Sequence, residues 1–171
     1  MTISPALMDG KKGLIMGVAN DRSIAWGIAK AARAHGAELA FTFQGEALEK
    51  RVRPLAESVG CDLVMPCDVT DDASIDSVFA TLAKTWGRLD FLVHAIAYSD
   101  KEELKGKYYD TTAENFSRTL LISCYSFTAL ARRAADDRGR QSADPVLSRR
   151  RTGDAALQCD GRRQGGAGGQ R

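Results

Sequence analysis

The last part of this chain lacks the residues from which a protein core is built. Residues 132–171 contain no aromatic side chain, no lysine and no glutamate, and their only large aliphatic residues are Val146, Leu147 and Leu157. The same segment holds ten arginines and seven glycines. Burial of so little apolar surface cannot offset the conformational entropy that the segment would lose on folding. We therefore expect 136–171 to be a disordered, non-native tail.

Net positive charge is missing from the front of the chain. Residues 1–131 carry eight lysines and six arginines against seventeen acidic residues, whereas 132–171 carry ten arginines against five. The formal charge of +2 therefore comes from the tail. A nucleic-acid binder acting through these arginines is one alternative, with affinity that falls steeply with salt. No aromatic residue interleaves them and no nucleic-acid-binding motif accompanies them, so we expect no nucleic-acid partner.

Long apolar runs and paired cysteine motifs are also absent. No apolar run approaches 18 residues, and residues 1–10 lack the charged-then-apolar pattern of a secretory signal. We therefore expect a soluble cytoplasmic protein that does not contact membranes. The four cysteines show no CxxC or zinc-finger spacing, which favours reduced thiols and no metal site. They are Cys61, Cys67, Cys124 and Cys159.

What the front of the chain does contain is an alternation of short apolar runs with amphipathic helical patterns. The apolar runs predict strands at 13–18, 38–43, 62–65 and 89–96. Near-continuous apolar strands separated by helices are typical of parallel βαβ units covered on both faces. We predict an α/β fold: a Rossmann-type, doubly wound parallel sheet that has only the N-terminal strands, in the order 3-2-1-4. Residues 1–135 would form this incomplete dinucleotide-binding domain.

Four helices are predicted between and after these strands. The first begins at Ser23 and carries its apolar residues at helical spacing; they are Ile24, Ile28, Ala31 and Ala32. The second spans 46–59. The third spans 71–86 with four residues inward, namely Ile75, Val78, Phe79 and Leu82. A long fourth helix begins at Thr111 or Thr112 and runs to about residue 133, with Glu114 as the capping-box partner.

The loop between the first strand and the first helix carries the chemistry. It has the spacing Gly17, five residues, Ser23, three residues, Gly27. Gly17 permits a tight turn, and the Ser23 hydroxyl with the free N–H groups of the helix can hold a pyrophosphate. Gly27 is expected to let the helix approach the sheet closely. A capped loop without a ligand remains the alternative at this point.

Three further strand ends fit a dinucleotide. Residues 41–44 end the second strand where the adenosine ribose would lie, 67–69 end the third beside the adenine, and 94–97 end the fourth beside the nicotinamide ribose. All lie at the carboxyl ends of parallel strands, where open α/β sheets bind ligands. His94 is interpreted as a packed or hydrogen-bonded residue and not as a catalytic one.

Together these residues resemble the NADH-dependent enoyl-acyl-carrier-protein reductases of bacterial type II fatty acid synthesis, a divergent branch of the short-chain dehydrogenases/reductases. The segments that carry the resemblance are GVANDRSIAWGIA, GAELAFTFQ, CDVTDDASID and FLVHAIAYS. The resemblance runs from about residue 11 to 134. It implies reduction of an enoyl-acyl-carrier-protein double bond, with the acyl carrier protein as partner and a homo-oligomeric assembly that is doubtful for this fragment.

The resemblance also implies the site residues. The cofactor contacts would be Gly17, Ser23, Ile24, Gln44, Asp68, Val69 and Ile96. Ser99 would lie at the acyl substrate. Gln44 is neutral and no arginine follows it, so nothing is offered to a 2′-phosphate, and NADH is favoured over NADPH as the cofactor.

The catalytic pair that the resemblance implies is absent from this chain. The family uses a tyrosine and a lysine at Tyr-x6-Lys spacing to stabilise and protonate an enolate. The chain has no tyrosine after Tyr125 and no lysine after Lys107. The positions seven residues after Tyr108, Tyr109 and Tyr125 hold Asn115, Phe116 and Arg132. We therefore predict no catalytic residues and an inactive chain, with a non-catalytic dinucleotide-binding fragment as the alternative function.

A shift of reading frame would explain this absence. With suitable synonymous codons, the stretch 157–170 read one base later translates as YNVMGVAKAALEA, which has a tyrosine and a lysine at the required spacing. The stretch 137–147 treated in the same way gives TEGGSLLTLS, which resembles the next strand of the family. We expect the residues after about Ala135 to be an out-of-frame translation of a reductase gene.

Overall fold

A computed structural model describes residues 6–141, with side chains described through residue 136. Its sheet has four parallel strands in the order β3-β2-β1-β4. The strands are β1 (Lys12–Met16), β2 (Glu38–Phe43), β3 (Val64–Pro66) and β4 (Phe91–His94). The predicted α/β class and strand order are confirmed. The prediction of a disordered tail concerns, for 142–171, residues that lie outside those described.

Five α-helices accompany the sheet in the described part of the chain. They are α1 (Ile24–Ala34), α2 (Glu46–Ser58), α3 (Asp72–Trp86), α4 (Ala113–Leu120) and α5 (Ser126–Gln141). A short 3-10 helix at Tyr108–Asp110 precedes α4, and a π-helical segment at Leu121–Tyr125 joins α4 to α5. Within residues 6–141 no helix is both long enough and apolar enough to span a bilayer.

Side chains of β1 alternate between two apolar layers, one on each face of the sheet. Ile15 packs with α1 and α2, in a layer that includes Trp26 and Phe41. Leu14 and Met16 point to the opposite layer, which is built on α3 and α5. Because successive side chains of a strand point to opposite faces, one short strand supplies both layers. The doubly wound arrangement is confirmed.

The packing of α3 follows the sequence pattern. Ile75, Val78, Phe79 and Leu82 are all buried, as predicted from their spacing. The Asp71 carboxylate accepts a hydrogen bond from the Ala73 N–H at 3.0 Å and caps the helix N-terminus. The helix ends at Gly87 in the left-handed conformation.

The packing of α1 does not follow the predicted pattern. Ile24 is 78% exposed and Ile28 is 40% exposed, while the buried face consists of Ala25, Trp26, Ala29 and Ala32. Small alanine side chains let this helix lie close to the sheet. The role predicted for Gly27 is wrong, because a Cβ at that position would meet nothing within 4 Å.

The long fourth helix is interrupted and longer than predicted. The Thr112 side chain caps α4 by accepting from the Asn115 N–H at 3.1 Å. The Thr112 N–H donates to Glu103 at 2.9 Å, so the capping partner is Glu103 and not the predicted Glu114. The helix continues beyond residue 133 to Gln141, and Arg133 of α5 pairs with Asp72 of α3 at 2.8 Å.

Candidate functional site

A cavity of about 650 Å³ opens at the carboxyl ends of the four strands. This is the edge at which open α/β sheets bind ligands. Strand ends and the helical segment from α4 onward both contribute to its wall. The residues that line it are Gly17, Val18, Ala19, Thr42, Phe43, Gln44, Leu48, Cys67, Asp68, Val69, Thr70, Ala95, Ile96, Ala97, Tyr98, Arg118, Leu121 and Ile122.

Gly17 forms the turn between β1 and this cavity. Its φ angle is +95°, a conformation that residues with a Cβ rarely adopt. A Cβ at Gly17 would lie 2.1 Å from the Ala95 carbonyl oxygen. The turn therefore requires glycine for two independent reasons, and the end of β4 approaches this backbone because no side chain intervenes.

The loop that follows Gly17 is held by its own hydrogen bonds. The Asn20 side-chain oxygen accepts from the Arg22 N–H at 2.8 Å, and the Asn20 carbonyl accepts from the Ser23 hydroxyl at 2.6 Å. Ser23 is the N-cap of α1. The Trp26 N–H donates to the Ser23 carbonyl at 3.0 Å, while the preceding N–H groups of Ile24 and Ala25 have no carbonyl of the helix to reach, which makes this end attractive to an anion.

Gln44 and Asp68 meet across the ends of β2 and β3. The Gln44 side-chain amide donates to the Asp68 carboxylate at 3.0 Å. Thr70 donates to the same carboxylate from its hydroxyl at 2.6 Å and from its N–H at 2.8 Å. These donors, Thr70 first, hold the pKa of Asp68 below its usual value. A charged carboxylate of fixed orientation therefore stands at this end of the cavity.

The π-helical segment shapes the cavity from its helical side. Leu121 and Ile122 contribute to the lining. Ser123 accepts a hydrogen bond from the Tyr98 N–H at 3.0 Å and donates to the Tyr98 carbonyl at 3.2 Å. The segment thereby fixes the loop that leaves β4. Single π-helical turns occur often at functional sites.

His94 lies beneath this loop and is hydrogen-bonded. Its Nε2 is 2.7 Å from the hydroxyl of the buried Ser126, and that hydroxyl is 2.6 Å from the Ile122 carbonyl. A serine hydroxyl has one proton, so donation to Ile122 leaves Ser126 to accept from His94. Burial lowers the pKa of His94 and favours its neutral form. The interpretation of His94 as a packed, hydrogen-bonded residue is confirmed.

The described cysteines differ in their accessibility. Cys61 and Cys67 are buried and Cys124 is exposed, and all three are free thiols. Burial raises the pKa of Cys67 to about 11 and also raises that of Cys61. Although Cys67 lines the cavity, its sulfur is a neutral thiol near neutral pH and contributes packing.

The residues predicted from the sequence fall into three positions. Five line the cavity, namely Gly17, Gln44, Asp68, Val69 and Ile96. Ser23 and Ile24 lie at the adjacent N-terminus of α1, outside the lining. Ser99 is also outside the lining, and its hydroxyl accepts from the Asn115 amide at 3.1 Å.

Sequence reasoning missed the contributions of Thr70 and Arg118. Thr70 is two residues beyond Asp68, a spacing at which an aspartate side chain commonly accepts from the backbone N–H. Arg118 precedes Leu121 and Ile122 by three and four residues, so the three share one helix face. That spacing was visible in the sequence. Nothing there showed that this face meets the cavity.

The tyrosines that remain in the chain are not packed. Tyr108 is 80% exposed, Tyr109 is 73% exposed and Tyr125 is 52% exposed. None of these three lines the cavity, whereas the fourth tyrosine, Tyr98, is 41% exposed and does line it. In residues 6–141, no group of three or more His, Cys, Asp or Glu side chains is arranged to hold a metal ion.

The chain is similar to several known proteins. It is 65% identical over 130 residues to enoyl-(acyl-carrier-protein) reductase (NADH) 2 of Rhizobium meliloti, an alignment that covers 76% of this chain and 48% of the relative. It is 54% identical over 132 residues to the corresponding NADH reductase of Rickettsia bellii, covering 77% and 50%. The chain thus spans about half the length of these relatives.

A solved structure shows the same fold. The crystal structure of the enoyl-(acyl-carrier-protein) reductase of Anaplasma phagocytophilum in complex with NAD aligns with a TM-score of 0.74 at 58% sequence identity. The alignment covers 78% of this chain and 51% of that one. The family model described as Enoyl-(Acyl carrier protein) reductase matches residues 17–145. The strand-end cavity, the glycine turn and this match lead to one assignment: the chain belongs to the enoyl-(acyl carrier protein) reductase family.

Proposed function

We propose that residues 1–135 are the dinucleotide-binding part of an NADH-dependent enoyl-acyl-carrier-protein reductase. The cofactor contacts would be Gly17, Ser23, Ile24, Gln44, Asp68, Val69 and Ile96, with Ser99 near the acyl substrate. The supporting observation is that the glycine turn and the Gln44–Asp68 pair line one cavity. The Anaplasma phagocytophilum reductase, which is 58% identical to this chain, was crystallised in complex with NAD.

The residues present fit such a cofactor. The Gly17 turn packs directly against the Ala95 carbonyl, where any Cβ would clash, and so brings the ends of β1 and β4 together at the cavity. The open N-terminus of α1 favours a pyrophosphate. The Ser23 hydroxyl now donates to Asn20, so it would turn away from that carbonyl to donate to a phosphate oxygen. When bound, NADH supplies the hydride that reduces the enoyl double bond.

The end of β2 favours NADH over NADPH. Gln44 is neutral, and the next residue is Gly45, so no adjacent cation can pair with a 2′-phosphate. The negative charge of Asp68, which accepts the Gln44 amide, would oppose a phosphate at the same end.

We further propose that this chain, as written, has no turnover. The family tyrosine and lysine are missing, because the chain has no tyrosine after Tyr125 and no lysine after Lys107. Tyr108, Tyr109 and Tyr125 are exposed and outside the cavity lining. Tyr98 lines the cavity, but Lys105, seven residues later, lies with it in a loop and not on a helix. Without a group to protonate the enolate, hydride transfer has no stabilised product.

Absorbance at the NADH band, followed with a crotonyl thioester and the purified 171-residue chain, tests this proposal. We expect the rate to equal that of a sample without protein. Loss of NADH absorbance that scales with chain concentration would contradict the proposed inactivity.

Two observations support a reading-frame shift. The residues after 135 are rich in arginine and glycine and contain no aromatic residue, and the chain matches only about half the length of its relatives. The family match extends to residue 145, ten residues beyond the proposed boundary. Sequencing the DNA around codon 135 decides the matter. We expect the family's tyrosine and lysine in the neighbouring frame. An undisturbed reading frame with no reductase in either neighbouring frame would overturn this part of the proposal.

A non-catalytic dinucleotide-binding fragment is the second candidate, because the cavity is formed without the missing catalytic residues. Titration of NADH fluorescence with the chain tests it. Saturable binding without turnover, weaker for NADPH than for NADH, is the expected result. Absence of saturable binding of either dinucleotide would contradict both candidates as functions of this chain.

A further inference from the structure

The helical wall of the cavity carries one cation whose purpose the proposed cofactor contacts do not explain. Arg118 on α4 lines the cavity together with Leu121 and Ile122. The three residues follow each other at intervals of three and one, so they lie on the same face of the helical segment. Among the described lining residues, Arg118 alone carries a positive charge.

The charge of Arg118 is not used within the described structure. The ion pairs among residues 6–136 involve other basic residues, and Arg118 is in none of them. Arg133, by contrast, contacts both Asp72 and Asp76. The Asp68 carboxylate already accepts from Thr70 and Gln44, so its orientation does not depend on Arg118.

The surroundings of Arg118 fit a flat ring better than a phosphate. Val69, Leu121 and Ile122 supply apolar surface to the same cavity. The charged Asp68 repels phosphate groups, and the open N-terminus of α1 attracts them, so the phosphates belong at the α1 end. A guanidinium is planar and weakly hydrated, and it stacks on aromatic rings more readily than a lysine ammonium does.

We propose that Arg118 covers the adenine ring of the bound dinucleotide and determines the affinity for its adenosine end. This inference rests on the proposed cofactor site and adds a residue to it. Arg118 is exposed, so its side chain is free to settle on a ring that enters the cavity. Stacking requires the plane of the guanidinium, whereas pairing with a phosphate requires only the charge.

Calorimetric titration of the full 171-residue chain with ADP and with adenosine tests the inference. The variants are Arg118→Gln, which removes plane and charge, and Arg118→Lys, which keeps the charge alone. Arg51→Gln is the control, because Arg51 is exposed on α2 and does not line the cavity. Thermal unfolding of each variant, which we expect to match the wild type, reports whether the fold is retained.

We expect both Arg118 variants to bind ADP and adenosine roughly three- to tenfold more weakly, since a guanidinium over an aromatic ring contributes about that much. The control should bind as the wild type does. Wild-type affinity in Arg118→Gln would overturn the inference while leaving the cofactor site intact. Wild-type affinity in Arg118→Lys would overturn the stacking. Failure of the wild-type chain to bind NADH, ADP and adenosine would overturn the proposed site, and the role of Arg118 with it.

Discussion

Two glycines of the same loop-helix unit differ in what a methyl group would meet. At Gly17 a Cβ would clash with the Ala95 carbonyl in a backbone of positive φ, while at Gly27 it would meet open space. We expect Gly17→Ala to destabilise the fold by about 2 kcal/mol or more. Gly27→Ala should stabilise it by about 0.5–1 kcal/mol, because alanine favours the helix.

Urea unfolding followed by tryptophan fluorescence measures both changes in the free energy of unfolding. The two variants serve as controls for each other, since both add one methyl group. If the free energy of unfolding of Gly17→Ala equalled or exceeded that of Gly27→Ala, the close approach of β4 to the turn would be contradicted.

The described thiols should react at very different rates. With a pKa of about 11, Cys67 is a thiolate in about one molecule in a thousand at pH 8. Cys124 is exposed and Cys61 is buried. We expect iodoacetamide to label Cys124 first, and Cys61 and Cys67 only when urea unfolds the chain. Peptide mapping by mass spectrometry assigns each label to its cysteine. Early labelling of Cys67 would show that its burial is wrong.

At this scale the sequence predicts backbone requirements better than side-chain partners. Gly17 follows from the glycine spacing of the loop, because a turn at a strand end needs a special φ. The Gln44–Asp68 hydrogen bond joins residues 24 positions apart, and no local pattern encodes it. Gly27 was misinterpreted because its spacing shows that it is on the helix but not which way it faces.

Among the secondary-structure elements, β4 and α5 are joined by a hydrogen bond to the buried Ser126 hydroxyl and by the edge-on contact of His94 with Phe127. Ser126→Ala leaves the His94 Nε2 without its partner at 2.7 Å. We expect a loss of about 1–2 kcal/mol in the free energy of unfolding. Ser117→Ala is the matched control, since Ser117 is exposed on α4. Denaturant unfolding at pH 7.5 measures both. Equal stability of the two variants would contradict the buried link.

The same histidine makes stability depend on pH. Burial lowers the pKa of His94 from its ordinary 6.5, so the unfolded chain takes up a proton before the folded chain does. Its contribution is therefore complete above about pH 6.5 and declines as the pH falls through 6.5 toward the folded value. We expect His94→Asn to reduce the loss of stability between about pH 7.5 and 5.5. Urea midpoints across this range test it, and an unchanged slope would contradict the shift.

Helix α3 could be predicted in full and α1 could not, for a physical reason. The inward residues of α3 are large and repeat at helical spacing, so the pattern and the packing agree. In α1 the sheet packs against alanines, and the larger Ile24 and Ile28 face outward. No local pattern predicts the π-helical turn at Leu121–Tyr125, and its Ser123 is hydrogen-bonded to Tyr98, 25 residues away.

For the whole molecule, the proposed boundary between a folded part and a tail gives a direct test. The apolar layer under α5 includes Leu130, which is fully buried, and Ala134, which is 5% exposed. We expect a chain ending at residue 141 to keep the thermal midpoint and NADH affinity of the full chain. A chain ending at residue 128 should lose cooperative unfolding, since it lacks these core residues. A large drop in the thermal midpoint of the chain ending at residue 141 would contradict the boundary.

The described half-domain also exposes apolar side chains along its last helices. Phe116 is 44% exposed, Leu120 is 47% exposed and Phe127 is 50% exposed. Because the relatives are about twice as long, these surfaces are where we expect the fragment to associate with itself. The sequence predicts one continuous helix here and does not reveal the π-helical break at Leu121–Tyr125.

The parallel sheet has a further consequence for how such a chain would be made. Among the described residues, the strand pairings all join segments within 12–94, and the last buried member of the two apolar layers is Ala134. A nascent chain therefore acquires these partners before the second half of a full-length reductase has been translated. A reading-frame error in the message would then release a product that already contains the parallel sheet. Such a product would be degraded more slowly than an unstructured peptide.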